Sequence, residues 1–502
     1  MLRILGSTNP LRRGPNRREV MRIGALGAIP LSLPQWYSLE ELRAASGLGP
    51  KPLERAKRIL LLYLQGAASQ FETWDPKPNA VEDIRGKWGA IPTSVPGIFI
   101  GEKLPKLARV MDRMAIVRSM THQHNNHSNL YTLSGFPTLD FTSETNPRDS
   151  RHHPFFGSVL DYLAEQQAPQ ETPDVPRNIG LPFPFSAHSP VFQRAGPYGA
   201  FLGSGYDPVW TEFDGQATRK VARVSFFDRL SDVEVEDPYL GITKESRLRI
   251  PNDIRLGSEL TLDRLDKRRS LLEQFNDEHK RLAESVAVKA LDRYRTMAYS
   301  LITSGKVREA LDVDLEPMPL RESYGMTLFG QATLTGRRLL EAGCPLVSVF
   351  WDEYKVVNTA WDTHFDHFSR LDNELLPAFD AAVSTLLLDL EDRGMLDTTL
   401  VMCLTEHGRT PRISQTDRGG GRDHWSQCYS VMLAGAGIKP GIVVGESDSQ
   451  GAYVKDRPVS PEDILATMYH LKGIDPATTI PDRLNRPVRL VETGRPIAEL
   501  LA

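Results

Sequence analysis

RILLLYLQGA, residues 58–67, decides how this chain folds. Six consecutive apolar or aromatic side chains run from Ile59 to Leu64 with no polar alternation. Such a run suits a strand covered on both faces, as in parallel sheets sandwiched between helices. MAIVRSM (114–120), PLVSVFW (345–351), TTLVMCL (398–404) and CYSVMLAGAG (428–437) read the same way. Between them lie helical patterns. Residues 259–303 are charged, amphipathic and free of Gly and Pro, and residues 325–342 and 368–393 repeat apolar positions at three and four. SPEDILATMYHLKGI (460–474) opens with a serine N-cap and a proline in the first turn. Strands alternating with helices imply an α/β fold, a mainly parallel central sheet with helices on both faces. Residues 138–255, rich in Pro, Gly, Ser and aromatics, read as an irregular insertion that covers part of the sheet edge.

Composition narrows the function. The net charge of −4 over 502 residues, without a basic block interleaved with aromatics, argues against nucleic acid as a partner. Three scattered cysteines, Cys344, Cys403 and Cys428, support neither a disulfide framework nor a thiolate metal site.

The first residues point to export. RRGPNRREVMRIGALGAIPLSLP (12–34) joins a basic region containing Arg17-Arg18 to a short apolar stretch, Ile23 to Leu33. That stretch is too short and too rich in Gly and Pro to span a bilayer, and it resembles a twin-arginine leader. Residues 1–46 are expected to be signal peptide and linker, with Ala44-Ala45-Ser46 as a cleavage region. Residues 47–502 would be the mature domain, periplasmic or extracellular and without a membrane span. One partner would be the twin-arginine export machinery, which carries folded proteins.

In parallel sheets ligands gather at the carboxyl ends of the strands. Glu72 and Asp75 follow the first apolar run, and His122, His124 and His127 follow the second. Asp352, Asp362, His364, Asp366 and His367 follow the third, and Glu406-His407 the fourth. Asp423 and His424 precede the last run. More than half of the twelve histidines fall in these segments. Carboxylates and imidazoles without thiolates suit a divalent metal ion, Zn, Mn or Ca/Mg according to the ratio of oxygen to nitrogen.

The ordered motifs QFETWDPKP (70–78), LPKLARVMDRMAIVRSM (104–120), WDTHFDHF (361–368), TEHGRTP (405–411), GRDHW (421–425) and GAYVKDRPVSPEDILATMYH (451–470) resemble the exported family called domain of unknown function 1501. That family is a sulfatase-like branch of the alkaline phosphatase superfamily, and the resemblance covers nearly the whole chain. It implies a metal site at the carboxyl edge of the sheet. Asp362, His364 (or His367 in its place), Glu406, His407 and His424 would supply ligands, and Arg409 or Arg422 would bind the anionic ester. The family more usually carries Phe where His407 stands.

Two departures from the superfamily pattern stand out. The aspartate that normally follows the first strand is replaced by Gln65-Gly66-Ala67, so Glu72 would have to reach the metal from farther along the loop. NNHSNLYTLSGFP (125–137) resembles the end of the sulfatase nucleophile segment, yet counting back from Gly135 puts Asn125 where Cys or Ser should stand. Without a formylglycine-type cysteine, attack would fall to Ser128, Thr121 or water, with His127 as base or ligand. The resemblance implies a metal-dependent hydrolase of sulfate or phosphate esters, with a small-molecule or glycan ester as its substrate and partner. A non-catalytic sulfatase-like protein that binds a glycan or a partner, and an enzyme of another reaction class on the same scaffold, are the alternatives.

Overall fold

A computed structural model describes residues 52–502 except 139, 170–172, 191–192, 226–230, 252–292, 294–304, 357–358 and 416–418. The expected leader, Asp417 and, apart from Arg293, the helical pattern over 259–303 lie outside the described residues.

The central sheet contains β1 (Arg58–Leu64), β2 (Met114–Met120), β3 (Ile179–Leu181), β4 (Val209–Trp210), β5 (Leu346–Trp351), β6 (Thr399–Leu404), β7 (Tyr429–Ala434) and β8 (Ile442–Val444). Their order across the sheet is β8-β2-β7-β6-β1-β5-β3-β4. β1 lies between β5 and β6, parallel to both, with Leu64 opposite Trp351 and Tyr63 opposite Leu404. Three strands therefore end at one level. Both edge additions from the 138–255 region, β3 and β4, pair in parallel outside β5.

Successive side chains of β1 enter different cores, which explains the unbroken apolar run. Leu60, Leu62 and Leu64 pack with residues of α3 (Leu328–Glu341) and α4 (Leu376–Asp392). Ile59, Leu61 and Tyr63 join α2 (Phe156–Gln167) and α5 (Pro461–Leu471) on the other face. The expected α/β sandwich is what forms.

Two expectations are corrected in detail. CYSVMLAGAG yields β7, but this strand runs antiparallel to both β6 and β2. Its amino end therefore lies at the carboxyl edge of its neighbours, which is why His424, before the strand, reaches the same edge as residues after the others. The pattern over 368–393 is also not one helix. A helical turn, His367–Arg370, passes through a π-helical turn at Leu371–Leu375 into α4. Pro377, in the first turn of α4, lacks an N–H to continue regular bonding backward, and the widened turn absorbs the defect.

α3 and α4 are also joined by charge. Arg337 is fully buried and pairs with Glu316 (2.7 Å), Glu341 (2.6 Å) and Asp389 (2.9 Å). Removing one partner of such a network strands buried charge, at a cost of about 3–5 kcal/mol. Arg337→Ala is expected to lower the stability of the metal-free protein by that amount in urea unfolding. A loss below about 1 kcal/mol would show that the network contributes little.

Candidate metal centre

The site is assembled around Gly66, the first glycine after β1. Its φ of +98° lies in the left-handed region, and a Cβ there would come within 2.3 Å of the Asp362 backbone nitrogen. Only glycine lets the 361–362 loop approach the end of β1 this closely. A carbonyl of Gln65 accepts the Trp361 N–H at 2.9 Å, closing the same junction. The position that lacks the expected aspartate thus provides the space that brings Asp362 in. Gly421 does the equivalent on the opposite side, where a Cβ would overlap the His364 carbonyl.

Arg409 locks the junction. It pairs with His424 in a two-residue antiparallel ribbon, Gly408–Arg409 against His424–Trp425. Its fully buried guanidinium donates from Nε to Ala67 O (3.0 Å) and from Nη1 to Arg422 O (3.0 Å). Nη2 donates to the carbonyls of Gly66 and Trp361 and to Asp362 Oδ1. Arg422 is engaged just as fully. It makes two bonds to Glu72 Oε1 (3.1 and 2.8 Å), others to the carbonyls of Thr410, Pro411 and Ile84, and lies over the Phe71 ring. The expectation that one of these arginines neutralises an ester meets a physical obstacle, since their N–H groups are already committed to backbone and carboxylate acceptors.

Around Asp362 the expected residues come together. Its Oδ1 lies 3.1 Å from His364 Nε2 and 3.3 Å from His424 Nε2, and its Oδ2 lies 3.3 Å from His127 Nε2. Two groups, His127 with His407 and His424, and Asp362 with His364 and His424, offer ligand atoms within 4.8 Å of one another. His424 belongs to both.

The outer nitrogens are held by a second ring of acceptors. His127 Nδ1 is 2.8 Å from Glu406 Oε1, and His364 Nδ1 is 2.8 Å from Asp423 Oδ1. His407 Nδ1 donates to Gly408 O at 2.8 Å, which leaves its buried Nε2 without a hydrogen-bond partner among the described residues. In His407, bonding at Nδ1 fixes the tautomer that presents Nε2 as a lone pair. Glu406, expected as a ligand, sits behind His127 as its orienter and also accepts the Gly66 N–H at 2.8 Å.

Electrostatics follow from this packing. Burial would raise the pKa of Asp362, but Arg409, then His127 and His364, hold it well below the carboxylate range. Burial opposes ionisation of Glu406 as well, and the His127 hydrogen bond and charge bring it down. Burial and Arg194 work against a proton on His127, but Asp362 and Glu406 prevail and raise its pKa to about 9. Burial and the neighbouring cations push His407 far down and His424 to about 4, so both imidazoles are neutral near pH 7.

Other expected residues lie elsewhere or do different work. Glu72, with its pKa near 2, is bound to Arg422, Ser69 and His367, the last at 3.2 Å, rather than to the Asp362 group. His367 turns its other nitrogen to Thr363 (2.7 Å). Asn125 accepts from Ser426 N (2.8 Å) and donates to His424 O (3.1 Å), so it fixes the backbone that carries His424. Ser128 is buried at the start of α1 (Asn129–Ser134), with no hydrogen bond from its hydroxyl among the described residues. Thr121 is partly exposed, its backbone N–H bound to Val459 O. His122, which follows the second apolar run together with His124 and His127, holds the Glu406 carbonyl at 2.7 Å. Arg194 and Glu144, from the 138–255 region, are residues that sequence reasoning missed; no motif surrounds either of them.

The donor set fits a divalent metal ion. Four imidazoles and one carboxylate converge, one of them with an orphaned buried nitrogen, and the nitrogen-rich composition favours a zinc- or manganese-type ion over Ca or Mg. Gly66→Ala tests the assembly. Left-handed strain and overlap with the Asp362 backbone are expected to cost roughly 2–4 kcal/mol. A variant that folds should lose high-affinity metal by elemental analysis, whereas unchanged stability and metal content would mean Gly66 does not set the position of Asp362.

No curated protein matches the chain. Solved structures to which it is similar include Ps i-CgsB, at 11% identity over 85% of this chain and 72% of that one, with a TM-score of 0.35. Another is the PsFucS1 sulfatase from Pseudoalteromonas sp., at 12% identity, 89% and 72% coverage and a TM-score of 0.34. A third is the phosphonate monoester hydrolase SpPMH from Silicibacter pomeroyi, at 11% identity, 84% and 74% coverage and a TM-score of 0.31. The model of the family of proteins of unknown function DUF1501 matches residues 56–501, and the chain belongs to that family.

Proposed function

We propose that this protein is an exported, metal-dependent hydrolase of sulfate or phosphate esters. The observation that carries the reading is the buried Nε2 of His407, unpartnered among the described residues, facing a group of His127, His424, Asp362 and His364 in which the outer nitrogens of His127 and His364 are already oriented. A desolvated lone pair without a donor is costly unless something electron-poor binds it. His127, His364, His407, His424 and Asp362 would hold the ion; Glu406, Asp423 and the Gly408 carbonyl would aim the imidazoles.

A bound divalent ion would polarise a sulfuryl or phosphoryl oxygen and stabilise charge that develops on it. The chain's own groups would do the rest. In-line displacement would break the bond between the ester's sulfur or phosphorus and its bridging oxygen. The attacking oxygen would come from water or from the uncommitted hydroxyl of Ser128. Arg409 would act as a positioning residue, keeping Asp362 ionised and in place. The leader read in residues 12–34 would send the folded, metal-loaded chain to the periplasm or beyond.

A second reading is supported by Asn125. Both ends of its amide are tied to backbone, and no residue of formylglycine type stands there. The fold would then serve as a non-catalytic binder of a glycan or partner.

Elemental analysis of protein purified from the exported fraction separates these readings first. About one or two tightly held divalent ions per chain are expected, and no metal retained or rebound would end the hydrolase reading. A panel of aryl sulfates and aryl phosphates follows, on wild type, Glu406→Ala and His424→Ala. His424→Ala should lose metal and activity together. Glu406→Ala should weaken metal binding by about 10–100-fold, the usual cost of losing an outer orienting partner. Bound metal with no turnover of any ester would favour the binding protein.

A further inference from the structure

Seven arginines are buried among the described residues: Arg194, Arg223, Arg321, Arg337, Arg370, Arg409 and Arg422. Six of them have several close polar partners each. Arg223 binds Glu374 and Asp237, Arg321 binds Asp314, Gln331 and the Lys244 carbonyl, and Arg370 binds three carbonyls. The networks of Arg337, Arg409 and Arg422 have been described above. Arg194 differs. It is only 9% exposed; its Nε lacks a hydrogen-bond partner, as in Arg223, Arg337 and Arg370, but where those three bind acceptors through their other nitrogens, Arg194 has among the described residues only Glu144, 3.8 Å from Nη1 and beyond hydrogen-bond distance.

This side chain is not loosely attached. The Arg194 backbone N–H donates to Ser186 Oγ at 2.8 Å, and the Ser186 N–H donates to Asp352 Oδ2 at 2.5 Å, just past the end of β5. The next residue, Ala195, donates its N–H to the Glu144 carbonyl at 2.6 Å. Arg194 is therefore pinned to the carboxyl edge of the sheet, where the metal-ligand groups lie. Its charge favours ionisation of Glu144 and Asp352.

A buried guanidinium retains a large desolvation cost unless several acceptor oxygens, from carbonyls, carboxylates or a bound anion, accompany it. Arg409 and Arg422 are saturated by protein acceptors, so neither offers that partner a place. We propose that Arg194 is the anion-binding residue of this site and takes a tetrahedral oxyanion, the sulfuryl or phosphoryl head of the ester, through its uncommitted N–H groups. Guanidinium geometry matches two oxygens of such a group at once. The inference builds on the hydrolase reading but does not need turnover: it assigns the 138–255 region a direct part in binding the substrate's head group.

The test uses the full-length, metal-loaded protein and inorganic phosphate and sulfate as probes, with affinity read by calorimetry. Wild type should bind at least one of the two anions. Arg194→Met should bind it about tenfold or more weakly, as expected for loss of a charge-assisted bond, with metal content unchanged. Arg194→Lys should recover part of the affinity. In wild type, phenylglyoxal labelling followed by peptide mapping should modify Arg194 in the absence of anion and much less in its presence, with Arg409 and Arg422 unlabelled throughout. That measurement needs no variant to fold. Anion affinity unchanged in Arg194→Met, no anion binding by wild type, or labelling of Arg194 that anion does not reduce would overturn the proposal. Loss of anion affinity in Arg194→Met of a chain that holds metal but hydrolyses nothing would leave it standing and remove the hydrolase reading alone.

Discussion

One guanidinium sets the geometry of the whole centre. Arg409 bridges the carbonyls of Gly66 and Ala67 after β1, that of Trp361 beside Asp362, and that of Arg422 beside His424. It also bonds the Asp362 carboxylate itself. Segments some 50 to 340 residues apart in sequence are thereby held at one point. Without that cation, Asp362 would be a buried charge lacking its main compensation, a situation that costs several kcal/mol. The convergence of these histidines on Asp362 is consequently a property of the clamp as much as of the histidines themselves.

Outside the clamp, the site follows a layered logic. Imidazoles form the inner layer, and two carboxylates and a peptide carbonyl form the outer one. Carboxylates in the outer layer raise the basicity of the histidines and fix their rotation. This explains why an acid directly after a strand, Glu406, faces the back of His127 rather than the cluster. It also separates Glu72, whose buried charge is matched by Arg422 and His367 in a neighbouring structural group.

Much of the centre was legible in the sequence because strand ends in a parallel sheet collect at one edge. Asp362, His364 and His407 stand just beyond apolar runs and His424 just before one, and the structure brings their ligand atoms together. Roles were less legible than positions. Whether a carboxylate binds an ion or orients a histidine depends on which of two nitrogens it meets, and spacing along the chain carries no information about that. His127, read as base or ligand, sits in the inner layer. Arg409 and Arg422, read as anion binders from their placement, turned out to be consumed by carbonyls that no motif announces. Arg194 had no motif at all and became visible only through its missing partners.

The sequence by itself determined the layered α/β architecture, because unbroken apolar runs such as 59–64 can be satisfied only between two helical layers, and it determined which strand ends carry the histidines and carboxylates. Tertiary structure alone decided the direction of β7, which delivers His424 to the carboxyl edge of the neighbouring strands from the amino end of its own. It also decided that Gly66 would make room for Asp362 instead of lacking a ligand. Both outcomes rest on contacts between residues far apart in the chain, where pairing direction and backbone clearance are set by packing, and local pattern has no purchase on either.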